Sequence, residues 1–399
     1  MKITLICHDI PYPPNRGARV EMWRRIKAFY DIGVELQLIS WFSEPLQPEE
    51  IAEVKKYVKE IYLIPFQHTL GSFARRIIDL LQYPLEVTSR IVRGKEFNTL
   101  LSDVRAFHPD VIWLDGIHGG EIADKLSKNL NVLLITRSHN IEYLYYRRLL
   151  ASTTDFTSKL RRYLSVSHLE SFEKDLLKRS ALFYDISADD LKFWQSQGFK
   201  NGRYLPPIVE FPKDNNSKEA CDEISANLLY DVVFLGNLKV DNNVAGIVWF
   251  LTQVLPVIRS ALPSVKVLIA GSNPVKKIKQ LCEEHQGVSL SINPASSIAV
   301  YQSGRVLMNP VLTGSGVSIK SIEMLVSGRP IVSTPQGIAG LPEEVRKFFK
   351  IAVDAQSFGE EIVRLLSTPQ KLNVDQGLLE SLFGPQIIEG VVSDINSLL

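Results

Sequence analysis

The chain has 399 residues, of which 45% are apolar and 22% are charged. This composition is close to the globular average, and the length allows two or three domains. There are 45 Lys and Arg residues against 44 Asp and Glu residues, which leaves a formal net charge of +1 and argues against long nucleic acid as a partner. Three widely spaced cysteines, Cys7, Cys221 and Cys282, exclude a disulfide framework and favour a reducing compartment.

Signals for export and membrane insertion are missing from the sequence. The first residues, MKITLICHDIPYPPNRG, do not resemble a signal peptide because their apolar run breaks at His8 and Asp9. No stretch approaches the roughly 20 apolar residues that a membrane-spanning helix needs. We therefore expect a protein that is cytoplasmic, or peripheral on the inner face of the membrane.

The first half alternates short apolar runs with amphipathic stretches, which is typical of a parallel sheet with crossover helices. Strands are predicted at residues 2–7, 35–41, 61–65, 111–114 and 132–136, and helices at 17–30 and 120–127. Residues 151–197 are predicted to be one long helical region that stops at Gly198.

A Pro-rich run at 204–208 and a polar stretch at 213–223 form the predicted linker, and the alternation restarts after it. Strands are predicted at 231–235, 265–270, 288–292, 305–309 and 330–333, and helices at 244–261, 273–285, 298–303, 318–327, 356–366 and 385–399. We predict two doubly wound α/β domains, residues 1–205 and 206–384. Because ligands bind beyond the carboxyl ends of such strands, we expect the domains to face a central cleft.

The segment MNPVLTGSGVSIKSIE, residues 308–323, is predicted to be a strand, a Gly-Ser-Gly turn and a helix start. Glycines let the backbone approach a ligand, and a helix start offers free N–H groups and a positive dipole end, so the segment suits phosphate. Lys320 adds a cation. Glu323 lies on roughly the same helix face and can accept a hydrogen bond from a sugar hydroxyl. Taken alone, such a turn is also an ordinary strand–helix joint.

The motifs around this segment occur in a specific order. They are FLGNLK at 234–239, NN at 242–243, WF at 249–250, a strand ending at Gly271, the glycine turn, GRPIVST at 328–334 and GIAGL at 337–341. In this order, residues 231–366 resemble the carboxyl-terminal domain of GT-B glycosyltransferases of the family-4 type, the bacterial glycosyl transferases of group 1. The first half is similar more loosely, through PPNRG at 13–17 and SHNIE at 138–142.

The resemblance implies a GT-B fold of two Rossmann-like domains, with the helix at 385–399 packing back on the first domain. It implies an enzyme that transfers a sugar from a nucleotide-diphosphate sugar to a glycan or lipid-linked acceptor in bacterial surface polysaccharide synthesis. The implied reaction retains the anomeric configuration and needs no metal ion or cofactor. The sequence has neither an Asp-x-Asp motif nor an evident carboxylate pair of the retaining-glycosidase kind.

The resemblance also assigns roles to residues. Glu323 is expected to bind the ribose, and His139 to lie near the transferred sugar as the catalytic candidate. Gly17 approaches the diphosphate or the sugar, with Arg16 and Arg19 as nearby charges. The expected cradle of the diphosphate is formed by Gly314, Ser315, Gly316 and Val317.

Two positions depart from the family pattern. Ser315 stands where many members have a glutamate on the sugar hydroxyls, and Asn237 follows Gly236 where many have an arginine on the diphosphate. The leaving nucleoside diphosphate needs cations or oriented N–H groups, which Lys239 and Lys320 would supply. The departures keep open a non-catalytic nucleotide-sugar-binding or scaffold protein. A sugar-nucleotide epimerase fits the motif order less well.

Further candidates follow strands of the first half. His118 is predicted to line the acceptor pocket, against the alternative of an ordinary turn residue. Glu142 is predicted to orient His139, against the alternative of a helix-start carboxylate. His8 and Asp9 also end a strand and are weaker candidates.

Two basic stretches, 73–95 and 143–164, each carry five Lys or Arg residues against two and one acidic residues. Phe73, Tyr145, Tyr146 and Tyr163 are interleaved with them. This pattern suits an anionic membrane face, although a charge run is more often a solvated helix face.

Overall fold

The computed structural model describes residues 1–15, 17–44, 46–66, 69–211, 229–314, 316–368 and 372–399. The chain forms two compact units, unit 1 (Met1–Ile208 with Pro385–Leu399) and unit 2 (Val209–Gly384). The chain passes from one unit to the other three residues after the predicted boundary at residue 205. The predicted polar linker, 213–223, lies outside the described residues together with Cys221.

Unit 1 is built on a seven-stranded parallel sheet in the order β3-β2-β1-β4-β5-β6-β7. Most of its strands are buried on both faces, which is why they are continuous apolar runs. The strands are β1 (Lys2–Cys7), β2 (Glu35–Phe42), β3 (Glu60–Pro65), β4 (Val111–Asp115), β5 (Leu133–Ser138), β6 (Leu182–Asp185) and β7 (Gly202–Tyr204).

Helices connect these strands and cover the sheet. They are α1 (Gly17–Asp31), α2 (Pro48–Val54), α3 (Leu70–Asp79), α4 (Leu85–Thr88), α5 (Gly94–Phe107), α6 (Gly120–Leu130), α7 (Glu142–Ser152), α8 (Phe156–Val166), α9 (Leu169–Arg179) and α10 (Ala188–Ser196). The predicted strands and helices before residue 140 are confirmed with small shifts at their ends.

The prediction of one long helical region over 151–197 is wrong. Helices α8 and α9 are separate because His168 adopts a left-handed conformation, with φ of 60°. The buried strand β6 then follows α9, and α10 follows β6. Strand β6 has four residues, LFYD. They show neither the alternation of a half-buried strand nor the length of a helix, so the sequence pattern does not predict this strand.

Unit 2 repeats the architecture with a six-stranded parallel sheet in the order β10-β9-β8-β11-β12-β13. The strands are β8 (Tyr230–Leu235), β9 (Val267–Gly271), β10 (Val288–Ile292), β11 (Gly304–Asn309), β12 (Ile331–Ser333) and β13 (Phe349–Ile351). The helices are α11 (Asp241–Ala261), α12 (Lys276–Glu284), α13 (Ser297–Gln302), α14 (Ile319–Val326), α15 (Glu343–Arg346), α16 (Ala355–Ser367) and α17 (Gln376–Phe383). Strand β13 and helix α17 were not predicted.

Helix α11 is long and apolar enough to cross a membrane by length and composition. The prediction that no stretch approaches this limit overlooked this helix. Its apolar side chains lie in the core of unit 2, with Phe250, Val254 and Ile258 fully buried. Residues Phe250–Val254 are π-helical. Pro256 follows directly and lacks the N–H that a regular turn would use.

The last helix, α18 (Ile387–Asn396), belongs to unit 1. Ile388, Val391 and Ile395 lie in its core, and α18 packs against α1. The Tyr184 hydroxyl donates a hydrogen bond to Asp394 Oδ2 over 3.0 Å. The final helix therefore completes the hydrophobic core beneath the sheet of unit 1.

Candidate active site

The carboxyl ends of β1, β4 and β5 bring three histidines together in unit 1. His8 follows β1, His118 follows β4 and His139 follows β5, and these strands are neighbours in the sheet. The ring centroids lie 5.4 Å apart for His8 and His118, and 6.4 Å apart for His8 and His139. The strand order reverses between β1 and β4, which is the point where doubly wound sheets bind ligands.

His139 is held by Asp115, the last residue of β4. The distance from His139 Nε2 to Asp115 Oδ1 is 2.9 Å. Burial alone would raise the pKa of Asp115, but Arg25 and the hydrogen bond from His139 outweigh it and hold this pKa well below its usual range. Because Asp115 is ionised, its Oδ1 accepts a hydrogen bond from His139 Nε2–H, and Nδ1 is the other polar atom of the ring.

Behind Asp115 lies a buried network of charges. Arg25 of α1 pairs with both Asp115 and Glu21, and Arg137 Nη2 donates to Glu21 Oε1 over 2.7 Å. Arg25 and Arg137 are at most 1% exposed. Two cations therefore balance two carboxylates out of contact with water, and the network orients Asp115 and, through it, His139.

Glu21, Asp115 and His139 each offer one ligand atom within 4.8 Å of the others, a spacing that could hold a metal ion. However, the guanidinium groups of Arg25 and Arg137 already occupy Glu21 Oε1 and Asp115 Oδ2. Their two positive charges oppose a further cation. The cluster is therefore better suited to positioning His139 than to binding a metal.

His8 and His118 share a second property. Their Nδ1 atoms are buried and have no hydrogen-bond partner among the residues that the structure describes. Burial and the charge on His139 lower the pKa of His8 to about 4, and burial and Arg90 lower the pKa of His118 well below its usual value. Both rings are therefore neutral at pH 7, and their free Nδ1 atoms suit a polar ligand group.

The sequence predicts that Glu142 orients His139, and the carboxylate hydrogen-bonded to His139 is Asp115. Glu142 begins α7 and accepts a bond from Asn140 Nδ2 at 3.3 Å. Burial raises its pKa to about 7. Glu173 of α9 accepts the backbone N–H groups of Glu142 and Tyr143, both at 2.9 Å, and so caps α7.

The loop after β1 contains the other predicted residues of unit 1. Gly17 begins α1 and is exposed, and Arg16 lies outside the described residues. Arg19 makes a bidentate pair with Asp9, with donor–acceptor distances of 2.8 and 2.9 Å. Asp9 thus neutralises one of the charges expected near the diphosphate.

In unit 2, the loop after β8 lies beside the end of β9. A Cβ on Gly271 would lie 1.7 Å from the Gly236 carbonyl oxygen, so only glycine fits there. The Asn237 side chain accepts the Lys239 backbone N–H at 3.0 Å, which folds the loop. The Lys239 side chain is exposed. Asn237 therefore shapes the loop and brings no charge to it.

The glycine turn follows β11, at the switch point of the second sheet. Gly316 has φ of 69°, a left-handed conformation, and Ser315 lies outside the described residues. Asn309, the last residue of β11, donates to Ser321 Oγ at 2.8 Å and to the Gly337 carbonyl at 3.2 Å. These bonds fix the start of α14 against the loop after β12.

Lys320, the second residue of α14, is a half-buried cation of unit 2. Its Nζ donates to Asn243 Oδ1 at 2.6 Å and lies 4.6 Å from the centre of the Phe234 ring. Burial lowers the pKa of Lys320 to about 7. An anion bound beside Lys320 would favour the protonated, charged form of its amine.

Glu323, one turn later on α14, receives a hydrogen bond from the Tyr301 hydroxyl at 3.2 Å. Tyr301 is buried in α13 and holds the carboxylate in place. Sequence reasoning missed Tyr301, Asn243 and Asn309 as supporting residues, because no spacing rule connects them to α14.

Residues 230–368 match the family model described as glycosyl transferases group 1. This matched segment contains every candidate residue of unit 2, from Asn237 to Glu323. A relative from Klebsiella pneumoniae, an uncharacterized 44.6 kDa protein in the cps region, is 24% identical over 375 residues, which cover 91% of this chain and 90% of the relative.

Solved structures similar to the whole chain include HepE from Anabaena in complex with UDP, with a TM-score of 0.64 and 12% identity over 100% of both chains. Sucrose-phosphate synthase from Thermosynechococcus elongatus has a TM-score of 0.66 and 14% identity, again over 100% of both chains. At these identities the likeness shows the fold. The predicted GT-B fold, an α/β architecture of two units that are each built on a parallel sheet, is confirmed.

Proposed function

We propose that the protein is a retaining, metal-independent glycosyltransferase that transfers a sugar from a nucleotide-diphosphate sugar to a glycan or lipid-linked acceptor. The observation that carries this proposal is the half-buried Lys320 beside the glycine turn, in the same helix as Glu323 and inside the matched family segment. HepE is described in complex with UDP and with UDP-glucose. The cps region of the Klebsiella relative favours surface polysaccharide as the product.

In the donor site, the start of α14 and Lys320 would stabilise the diphosphate as negative charge develops on the leaving group. Glu323 would accept hydrogen bonds from the ribose. Gly314, Gly316 and Val317 would let the backbone approach the phosphates. The exposed Lys239 would attract the diphosphate from the solvent side of the loop. Ser315 would offer its hydroxyl to the sugar in place of the family glutamate.

In unit 1, His139 would lie near the transferred sugar or the attacking hydroxyl. Its hydrogen bond to the ionised Asp115 leaves Nδ1 free to accept a proton or a hydrogen bond. The unpartnered Nδ1 atoms of His8 and His118 would bind acceptor hydroxyls. We propose a cytoplasmic location on the inner face of the membrane, where lipid-linked acceptors are found.

The alternative of a nucleotide-sugar-binding scaffold rests on Asn237, whose side chain is used within its own loop and replaces a family cation. Release of nucleoside diphosphate from a panel of nucleotide sugars, with UDP-glucose first, separates the two functions. Turnover with any donor and acceptor supports the transferase. Donor binding without turnover over a wide acceptor panel favours the scaffold, and interconversion of the donor without acceptor would favour an epimerase.

Two substitutions test the site. We expect Glu323→Ala to weaken UDP-glucose binding in calorimetry by about 1–3 kcal/mol, because the ribose hydroxyls lose a charged partner. Glu360→Ala, at an exposed carboxylate of α16, is the matched control and should leave the affinity unchanged. We expect His139→Ala to lower kcat more than donor affinity. An unchanged affinity for Glu323→Ala, or an unchanged kcat for His139→Ala, would remove that residue from the site.

A further inference from the structure

We infer that unit 1 binds an anionic phospholipid bilayer through an apolar and basic surface formed by helices α3 and α8. This inference rests on the proposed function in one respect, since a lipid-linked acceptor would place the enzyme at a membrane. Its physical basis is independent of catalysis and lies in the side chains that the two helices expose.

Helix α8 exposes an apolar stripe. Phe156, Leu160 and Tyr163 recur at positions i, i+4 and i+7, so they lie on one face. Their exposed fractions are 79%, 54% and 63%. A helix in a water-soluble surface normally turns such a stripe toward its own core, so this face of α8 is available to a partner.

Helix α3 and the residue positions just after it show the same pattern. Phe73, Ile77, Ile78 and Leu81 are 64%, 54%, 65% and 75% exposed. Among the described residues of unit 1, the terminal Leu399 is the one other large apolar side chain that is more than half exposed. The exposed apolar surface of unit 1 is therefore concentrated on two helices.

Basic side chains accompany both stripes. Arg75, Lys159 and Arg161 are exposed, and none of them has a carboxylate partner within the described parts of the chain. Two other cations of the basic stretches are paired, since Arg93 pairs with Asp79 and Arg147 pairs with Glu170. Arg75, Lys159 and Arg161 therefore place unpaired positive charge on the two helices that carry the apolar stripes.

Tyr145 and Tyr146, which the sequence pattern also suggested for this role, are half-buried. Arg90 is also unsuited to bind lipid, since its guanidinium donates to the His8 carbonyl at 3.1 Å. The exposed large apolar side chains of the two basic stretches therefore lie on α3, just after α3 and on α8.

The two helices lie in the same part of unit 1. Helix α4 packs against both α3 and α8, and Ser165 of α8 donates a hydrogen bond to Glu86 of α4 at 2.6 Å. Both helices have 10 or 11 residues, which is too short to span a bilayer. Helices of this kind lie in the interface, with apolar side chains among the acyl chains and cations at the phosphates.

Charge selects the bilayer over other occupants. A second copy of this chain would bring the same cations against Arg75, Lys159 and Arg161, and the like charges would repel. Anionic headgroups supply the opposite charge, and the acyl region accepts the aromatic and aliphatic side chains. A membrane surface satisfies both halves of the pattern at once.

Vesicle flotation of the full-length protein tests this inference. We expect binding to vesicles in which about a third of the lipid is phosphatidylglycerol, little binding to pure phosphatidylcholine, and loss of binding at high salt. Phe156→Ser with Leu160→Ser, or Ile77→Ser with Leu81→Ser, should lower the partition coefficient about tenfold or more. Lys159→Gln with Arg161→Gln should lower it about fivefold for each cation removed.

Ile351→Ser with Val353→Ser is the matched control, because these side chains are 47% and 76% exposed in unit 2. It should leave vesicle binding unchanged. Wild-type protein that ignores the phosphatidylglycerol content, or helix variants that bind like the wild type, would overturn the inference. So would dimers in light scattering that the helix variants abolish without any vesicle binding. Turnover with a water-soluble acceptor separates the two proposals, since a catalytically inactive protein that binds vesicles contradicts only the proposed function.

Discussion

Lys320 couples the chemistry of unit 2 to pH. Its ammonium lies over Phe234 and donates a hydrogen bond to Asn243, and burial lowers its pKa to about 7. Only the protonated form, present below this pKa, attracts a diphosphate. Above pH 7 the Lys320 side chain is mostly neutral before the donor binds. Binding of the diphosphate beside it is therefore accompanied by uptake of a proton.

We therefore expect the affinity for UDP-glucose to fall as pH rises above about 7, with a limiting slope of about tenfold per pH unit. Calorimetric titrations between pH 6 and 9 measure this, because the donor keeps the same charge over that range. Lys320→Met should bind the donor more weakly and without the slope. Lys239→Met, at an exposed lysine of the neighbouring loop, should keep the slope, and a flat wild-type profile would contradict the assignment.

His139 and its surroundings show what a sequence reveals at the scale of residues. The motif SHNIE predicted that His139 follows a strand and lies at the sheet edge, and the structure places it there. Its partner, Asp115, is 24 residues earlier in the chain, and Arg25 is 90 residues before Asp115. Such pairs depend on which strands become neighbours. Proximity along the chain suggested Glu142, whose carboxylate accepts a hydrogen bond from Asn140.

At the scale of elements, α11 packs so closely against the residues before the glycine turn that Gly246 of α11 has no room for a side chain. A Cβ on Gly246 would lie 2.5 Å from the Pro310 carbonyl oxygen, a backbone atom that cannot move aside easily. Pro310 follows β11 and leads into the turn. The contact therefore links the packing of α11 to the position of the glycine turn, which we propose to bind the donor.

We expect Gly246→Ala to lower the free energy of unfolding by about 1–3 kcal/mol, because the methyl group overpacks the contact and outweighs the higher helix propensity of alanine. Gly390→Ala is the matched control. Gly390 lies in α18, and its Cβ would meet nothing within 4 Å. That change should raise stability by about 0.5–1 kcal/mol. Chemical denaturation measures both, and equal effects of the two changes would contradict the packing argument.

Strands with a clear apolar run were predictable, including the three-residue β12, and several other short strands were not. Strands β1 and β10 have the bounds that the apolar runs predict. Strands β6, β7 and β13 have three or four residues, too few for a period to appear, and they are stabilised by pairing with a neighbouring strand. Tertiary context, not local pattern, decides such elements.

At the scale of the whole molecule, the chain returns to its first unit at the end. Pro385–Leu399 belongs to unit 1, although 176 residues of unit 2 separate it from Ile208. The resemblance to a known family implied this return, while the amphipathic pattern of the helix alone predicted only that it has an apolar face. The closing helix supplies Ile388, Val391 and Ile395 to the core below β1 and α1.

This arrangement predicts a local effect of a mutation at the far end of the chain. Ile395 is fully buried, so Ile395→Ala should leave a cavity and destabilise unit 1 by about 2–5 kcal/mol. Hydrogen exchange followed by mass spectrometry should show faster exchange in α1 and β1 than in β8 and β11, because the lost contacts lie in the core of unit 1. Ile292→Ala removes the same atoms from a side chain of unit 2 that is 48% exposed, and it should change exchange little in either unit. Unchanged exchange in α1, or an equal increase in both units, would show that α18 does not stabilise unit 1 through its core.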